Sequence, residues 1–196
     1  MKNYLCTMFF CLFLVGNVEA YVITADATGL STIATTDYWG VSFDSGVGYI
    51  QSVSFDVSPI GAHFDFGGAG AFANATEPII GICSGLQDSN ITTSFNNNYP
   101  VVLNFQFTYN SFGSGDSFRF SADTDGTKYS SGDMMEDILF SVKLQNGQLF
   151  EGAFAPTGIE NQSKVTIKSS PVPLPSSIFL ISFGLLGITR MSRKTK

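Results

Sequence analysis

Val101-Val102-Leu103-Asn104-Phe105-Gln106-Phe107-Thr108-Tyr109 decides the fold. Val101, Leu103, Phe105, Phe107 and Tyr109 alternate with Val102, Asn104, Gln106 and Thr108, the two-residue period of a strand with one face on a core. Gly113-Ser114-Gly115-Asp116 then makes a turn, and Phe118 and Phe120 flank Arg119 beyond it, so the stretch reads as a hairpin. The same period appears in Trp39, Val41 and Phe43, and again in Ile50, Val53, Phe55 and Val57 after Gly46-Val47-Gly48, which predicts a second hairpin. Ile138, Phe140, Val142 and Leu144 lead to Asn146-Gly147, the strongest short hairpin signal, with a return through Leu149 to Ala153. Shorter candidates are Tyr21 to Ile23, Leu30 to Thr35, His63 to Phe66, Val165 to Ile167 and a buried strand at Pro78 to Ile82; Gly67-Gly68-Ala69-Gly70 and Asn96-Asn97-Asn98 read as loops. No helical period interrupts them. The expected architecture is all-β, an antiparallel β-sandwich of jelly-roll-like topology, with most of the nineteen phenylalanines as its core.

The two ends read differently. Lys2 precedes an apolar run from Tyr4 to Val15, and Val18 and Ala20 provide compact residues before a cut, so residues 1–20 are expected to be a signal peptide cleaved after Ala20 by signal peptidase following export through the Sec machinery. Cys6 and Cys11 lie inside it without the small residues that lipid attachment requires. Residues 21–170 form one domain, enough chain for one core. Its basic residues, Arg119, Lys128, Lys143, Lys164 and Lys168, face fifteen carboxylates once Glu19 is removed from the sixteen of the chain, a net charge of −10. That balance argues against nucleic acid as a partner, because phosphate binding needs a basic footprint. Only Cys83 remains in the domain, so no internal disulfide staples it in an oxidising compartment.

Residues 171–196 form a third segment. Ile178, Phe179, Leu180, Ile181, Phe183, Leu185, Leu186 and Ile188 make an uncharged run within residues 176–189. A membrane-spanning helix asks for about 20 apolar residues, so this is a short span and a weak anchor. Arg190, Arg193, Lys194 and Lys196 follow and are expected to stay in the cytoplasm. Val172-Pro173-Leu174-Pro175 precedes the run, and its prolines hold an extended segment open to a protease. In order and position these three parts resemble the PEP-CTERM sorting signal in its VPLP variant, with Gly184-Leu185-Leu186-Gly187 ending the helix and Leu174 where the commoner version has Glu. The resemblance implies a bacterial exosortase as the protease. It also implies transient anchoring in the inner membrane of a Gram-negative bacterium, then passage to the cell surface or the extracellular polysaccharide matrix. It covers only this end and implies no activity for the domain.

Candidate chemistry within the domain is sparse. Asp123-Thr124-Asp125-Gly126, with Asp116 and Asp133 near in sequence, offers oxygen ligands suited to calcium, although the spacing of a full calcium loop is absent. Tyr38 and Trp39, and less clearly Tyr49, Tyr99 and Tyr129, are candidates for an aromatic platform on which a sugar stacks. Gly81-Ile82-Cys83-Ser84-Gly85 has the spacing of a nucleophile elbow, but His63 precedes it and the scaffold is not α/β. Three readings follow. The first is a non-catalytic secreted protein with a structural or adhesive role in the matrix; the second is a calcium-assisted carbohydrate-binding module; the third is an uncharacterised hydrolase.

Overall fold

The structure, a computed structural model, describes residues 20–29, 37–66, 77–96, 99–125, 132 and 135–169. The expected signal peptide, the Leu30 to Thr35 strand, the 67–70 loop, Tyr129, Asp133 and the 171–196 sorting segment lie outside the described residues. The described residues form thirteen strands: β1 (Val22–Thr28), β2 (Trp39–Ser45), β3 (Ile50–Asp56), β4 (His63–Asp65), β5 (Ile79–Ser84), β6 (Ile91–Ser94), β7 (Val102–Phe107), β8 (Ser117–Ser121), β9 (Asp123–Asp125), β10 (Leu139–Leu144), β11 (Leu149–Ala153), β12 (Ala155–Pro156) and β13 (Gln162–Lys168). One sheet runs β12-β13-β1-β2-β8-β5, a second runs β11-β10-β3-β7-β6, and β4 pairs with β9 in a small third sheet. Neighbouring strands are antiparallel throughout.

The two large sheets face each other through aromatic rings. Phe55 on β3 meets Trp39 on β2 edge-on at 5.4 Å and Phe120 on β8 at 5.3 Å. Phe105 on β7 meets Phe120 at 4.5 Å and Phe118 at 5.3 Å. All five side chains are fully buried, and offset or edge-on rings at these separations attract beyond their burial. The alternation read from the sequence puts each of them inward, and the result is the all-β sandwich expected from it.

Strand identity was legible, but two strand partnerships differ from the expectation. The β10–β11 hairpin forms through Asn146-Gly147, with Lys143 opposite Leu149 and Gly147 at φ 88°. By contrast β2 and β3 belong to opposite sheets, and so do β7 and β8. The connections at 46–49 and 108–116 therefore carry the chain across the sandwich instead of folding it back within one layer. The reason is the apolar faces: Phe55 and Phe105 pack onto the rings of β2 and β8 rather than lying beside them. The third difference is β5, which forms an edge strand with Ile79 and Ile82 exposed, not a buried one.

The outer face of the first sheet carries one ion pair. Asp26, Gly40 and Arg119 are in register across β1, β2 and β8. The Arg119 guanidinium donates from Nη2 to Asp26 Oδ2 at 2.8 Å and from Nη1 to Asp26 Oδ1 at 3.3 Å, passing over the glycine. Its Nε also donates to the carbonyl of Asp37 at 2.7 Å. A Cβ on Gly40 would sit 2.5 Å from Arg119 Nη1 and 2.6 Å from Asp26 Oδ1, so the bridge needs a bare backbone beneath it. Gly40→Ala is expected to push the Arg119 and Asp26 side-chain ends apart and to destabilise the fold by up to about 1 kcal/mol in chemical denaturation, as for loss of a partly exposed ion pair. The loss should shrink in an Arg119→Ala background, since the crowded partner is then gone; equal losses in both backgrounds would contradict this account. Phe55→Ala, which empties the centre of the core, should cost about 3–5 kcal/mol by the same measurement.

Candidate functional site

Three connections meet at one end of the sandwich. Val47, Gly48 and Tyr49 come from the β2–β3 connection, Tyr109 and Asn110 from the β7–β8 connection, and Leu144, Gln145 and Asn146 from the β10–β11 turn. Together they line an open groove of about 340 Å³. Backbone hydrogen bonds tie the walls together. Gln145 N–H donates to the Tyr49 carbonyl at 3.0 Å, Ile50 N–H donates to the Phe112 carbonyl at 2.8 Å, and Tyr49 forms an isolated bridge with Gly113. A Cβ on Gly113 would lie 3.1 Å from the Tyr49 ring, so this glycine lets the ring rest flat against the chain. Such cross-ties fix a site before a ligand arrives, which lowers the ordering cost of binding.

The groove's side chains are aromatic, amide or, at Val47 and Leu144, aliphatic. Tyr109 is 79% exposed and Tyr49 38% exposed. Asn110 holds the left-handed conformation at φ 60°, at the tip of its loop. Within the β10–β11 turn, Asn146 donates from Nδ2 to Gln148 Oε1 at 2.8 Å and accepts from Gln148 N–H at 3.0 Å. Among the described residues, no charged side chain lines the groove.

The residues singled out from the sequence fall elsewhere. Tyr38 is 1% exposed and Trp39 is 0% exposed, with Trp39 Nε1 donating to the Ala122 carbonyl at 3.3 Å. They are core rings and offer a sugar no face, which corrects their reading as a platform. Of the other tyrosines considered, Tyr49 lies in the groove, while Tyr99 is exposed and packs edge-on against His63 at 5.3 Å. Sequence reading placed Tyr109 in the strand; the strand ends at Phe107, and the ring overruns it into the loop.

The acidic candidates do not share one place. Asp116 closes the 113–116 turn, accepting from the Gly113 N–H at 2.7 Å. Asp123 and Asp125 lie beyond the far end of β8, a strand about 17 Å long at ~3.3 Å per residue, whereas calcium ligands stand about 2.3–2.6 Å from the ion. Asp116 therefore cannot join Asp123 and Asp125 at one cation. Those two share a face of β9 with His63 and Asp65 across on β4, in the pairs His63–Asp125 and Asp65–Asp123, while Phe64 and Thr124 are buried. Among the described residues, no group of three or more His, Cys, Asp or Glu side chains is arranged to hold a metal ion. None of the β4–β9 carboxylates lines the groove.

Cys83 sits within strand β5, not on a strand-to-helix elbow. Burial pushes its thiol above the ordinary value, and the carboxylates of Asp88 and Asp37 push it further the same way. An activated nucleophile needs the opposite shift.

The chain was compared with models of protein families, with curated proteins and with solved structures, and it matches none of them.

Because the folded state disfavours the thiolate, alkylation of Cys83 by iodoacetamide at about pH 8 should run slower in the native protein than in the urea-denatured chain. The native rate should reach its plateau at higher pH. A native plateau at lower pH than the denatured one would reverse the assigned environment.

Proposed function

We propose that this chain is a non-catalytic exported protein, cut at its carboxyl end by an exosortase-type protease and delivered to the cell surface or the extracellular polysaccharide matrix, where the sandwich has a structural or adhesive role. The observation that carries the reading is the order of the final segment: Val172-Pro173-Leu174-Pro175, then a span too short for firm anchoring, then Arg190, Arg193, Lys194 and Lys196. The domain itself lends support at both boundaries. Tyr21, the first residue after the expected signal-peptide cut, already packs against Phe150 at 5.8 Å, and its N–H donates to Ser169 Oγ at 3.0 Å. Among the described residues the core runs from Tyr21 to Ile167, so its limits agree with the expected boundaries of the domain. We read its topology as jelly-roll-like, because the chain passes between layers at β2 to β3, β3 to β5, β5 to β6, β7 to β8, β8 to β10 and β11 to β12.

A second reading, binding of carbohydrate, is favoured by the groove. Exposed tyrosine faces beside amide side chains suit a ligand that presents apolar C–H faces and hydroxyl groups together. It joins the first reading without strain, since a matrix protein adheres by holding the matrix. The calcium-assisted form of it would draw on Asp123 and Asp125, and a melting temperature unchanged by chelator would remove calcium from the proposal.

The decisive measurement is mass spectrometry of protein released from the surface of the producing cells. The expected species begins at Tyr21 and ends within or beside residues 172–175. An intact carboxyl end at Lys196 on the surface-released protein would overturn the processing route.

A further inference from the structure

We infer that the groove formed by Tyr49, Tyr109, Asn110, Gln145 and Asn146 binds uncharged saccharide chains and rejects acidic ones; this rests on the carbohydrate-binding reading given above. Three observations bear on the ligand. Among the described residues, the lining contains no Lys, Arg or His that would pair with a carboxylate or sulfate, and no Asp or Glu that would pair with an amino sugar. The surrounding domain carries ten net negative charges, so a polyanion approaching it meets net repulsion. The hydrogen-bonding groups that do face outward are amides: Asn110 and Gln145 have no side-chain partner among the described residues, so their donors and acceptors remain open to ligand hydroxyls.

Geometry supports the same class of ligand. Tyr109 stands almost wholly in solvent at the end of its loop, while Tyr49 is held against Gly113 by the cross-ties of the neighbouring turns. One ring is largely exposed and the other is fixed as a wall, and the amides of Asn110 and Gln145 belong to the same lining. The groove is partly open to solvent, and its volume lies at the small end of ligand sites. An amide donates and accepts equally, which matches hydroxyl groups and gives no preference for a formal charge.

The test is affinity electrophoresis of the full chain in mild detergent. Gels contain hydroxyethylcellulose or galactomannan as neutral polymers, and alginate or polygalacturonate as acidic ones. The expected result is retardation in a neutral gel and none in the acidic gels. The acidic gels should stay blank at about 0.5 M salt, where long-range repulsion is screened and only the chemistry of the groove remains. Tyr109→Ala should weaken retardation by roughly tenfold, as for loss of an aromatic anchor, with no change in melting temperature because the ring is exposed. Gln145→Ala, which removes an amide and not an aromatic face, should weaken it less. Retardation in acidic gels that depends on Tyr109 would overturn the ligand class while leaving carbohydrate binding in place. Retardation that Tyr109→Ala does not alter would move the binding to another surface. No retardation in any gel, or self-association abolished by Tyr109→Ala in its place, would remove carbohydrate binding and this inference together. The processing route is read separately, from the carboxyl end of the released protein.

Discussion

The packing of Phe55 against Trp39 and Phe120 is the contact on which the rest of the structure depends. Phe55 belongs to one sheet and the other two rings to the second, so this contact sets how the layers lie on each other. Around it, Phe105, Phe118, Phe140 and Phe154 fill the interior with rings separated by 4.5 to 6.2 Å from their neighbours in the cluster. The domain holds a single cysteine, so no covalent bond stands behind these contacts. A core built from large flat side chains tolerates truncation poorly, because neighbours close only part of the space left behind.

Outside the core, the first sheet is tied across its width by polar groups. Arg119 reaches from β8 over Gly40 to Asp26 on β1, and Asp44 accepts from Thr24 at 2.6 Å and from Ser42 at 2.7 Å further along. Asp37 extends the ties to the edge, accepting from the Ile82 N–H on β5 at 3.1 Å while its own N–H donates to Ser121 Oγ at 2.7 Å. Exposed pairs of this kind contribute little singly. Their arrangement matters more, since all but the Ser42 contact within β2 join separate segments of the chain and so help define which strands are neighbours.

The sequence disclosed strands more readily than their partners. Val101 to Tyr109 alternates because one face meets the core, and that alternation is local. Whether β7 continues into its own sheet or the opposite one depends on Phe105 meeting Phe120 across the interior, which no local pattern records. Asn146-Gly147 was informative because a two-residue turn leaves the chain no option but to pair with itself, whereas the longer connection at 108–116 allows either outcome. Site residues were less legible still. Tyr38 and Trp39 have the composition of a sugar platform and the location of a core, and only burial separates the two. The groove combines Tyr49, Tyr109 and Gln145 from three connections, and their meeting is a product of the tertiary fold. A faint local signal existed in Tyr109, an aromatic ring at the very end of an alternating run, just before Asn110.

Strand register also fixes where the domain begins and finishes. Val22 is opposite Lys168 on one side and Ser45 on the other, and Ser169 N–H donates to the Tyr21 carbonyl at 3.1 Å. A Cβ at Gly46 would lie 2.6 Å from the Tyr21 ring, so the first connection of the groove starts beside both termini of the domain. Entrance, exit and groove thus occupy a single pole. Substitutions at Tyr21 or Ser169 therefore bear on the first wall of the groove before they reach the opposite pole of the sandwich.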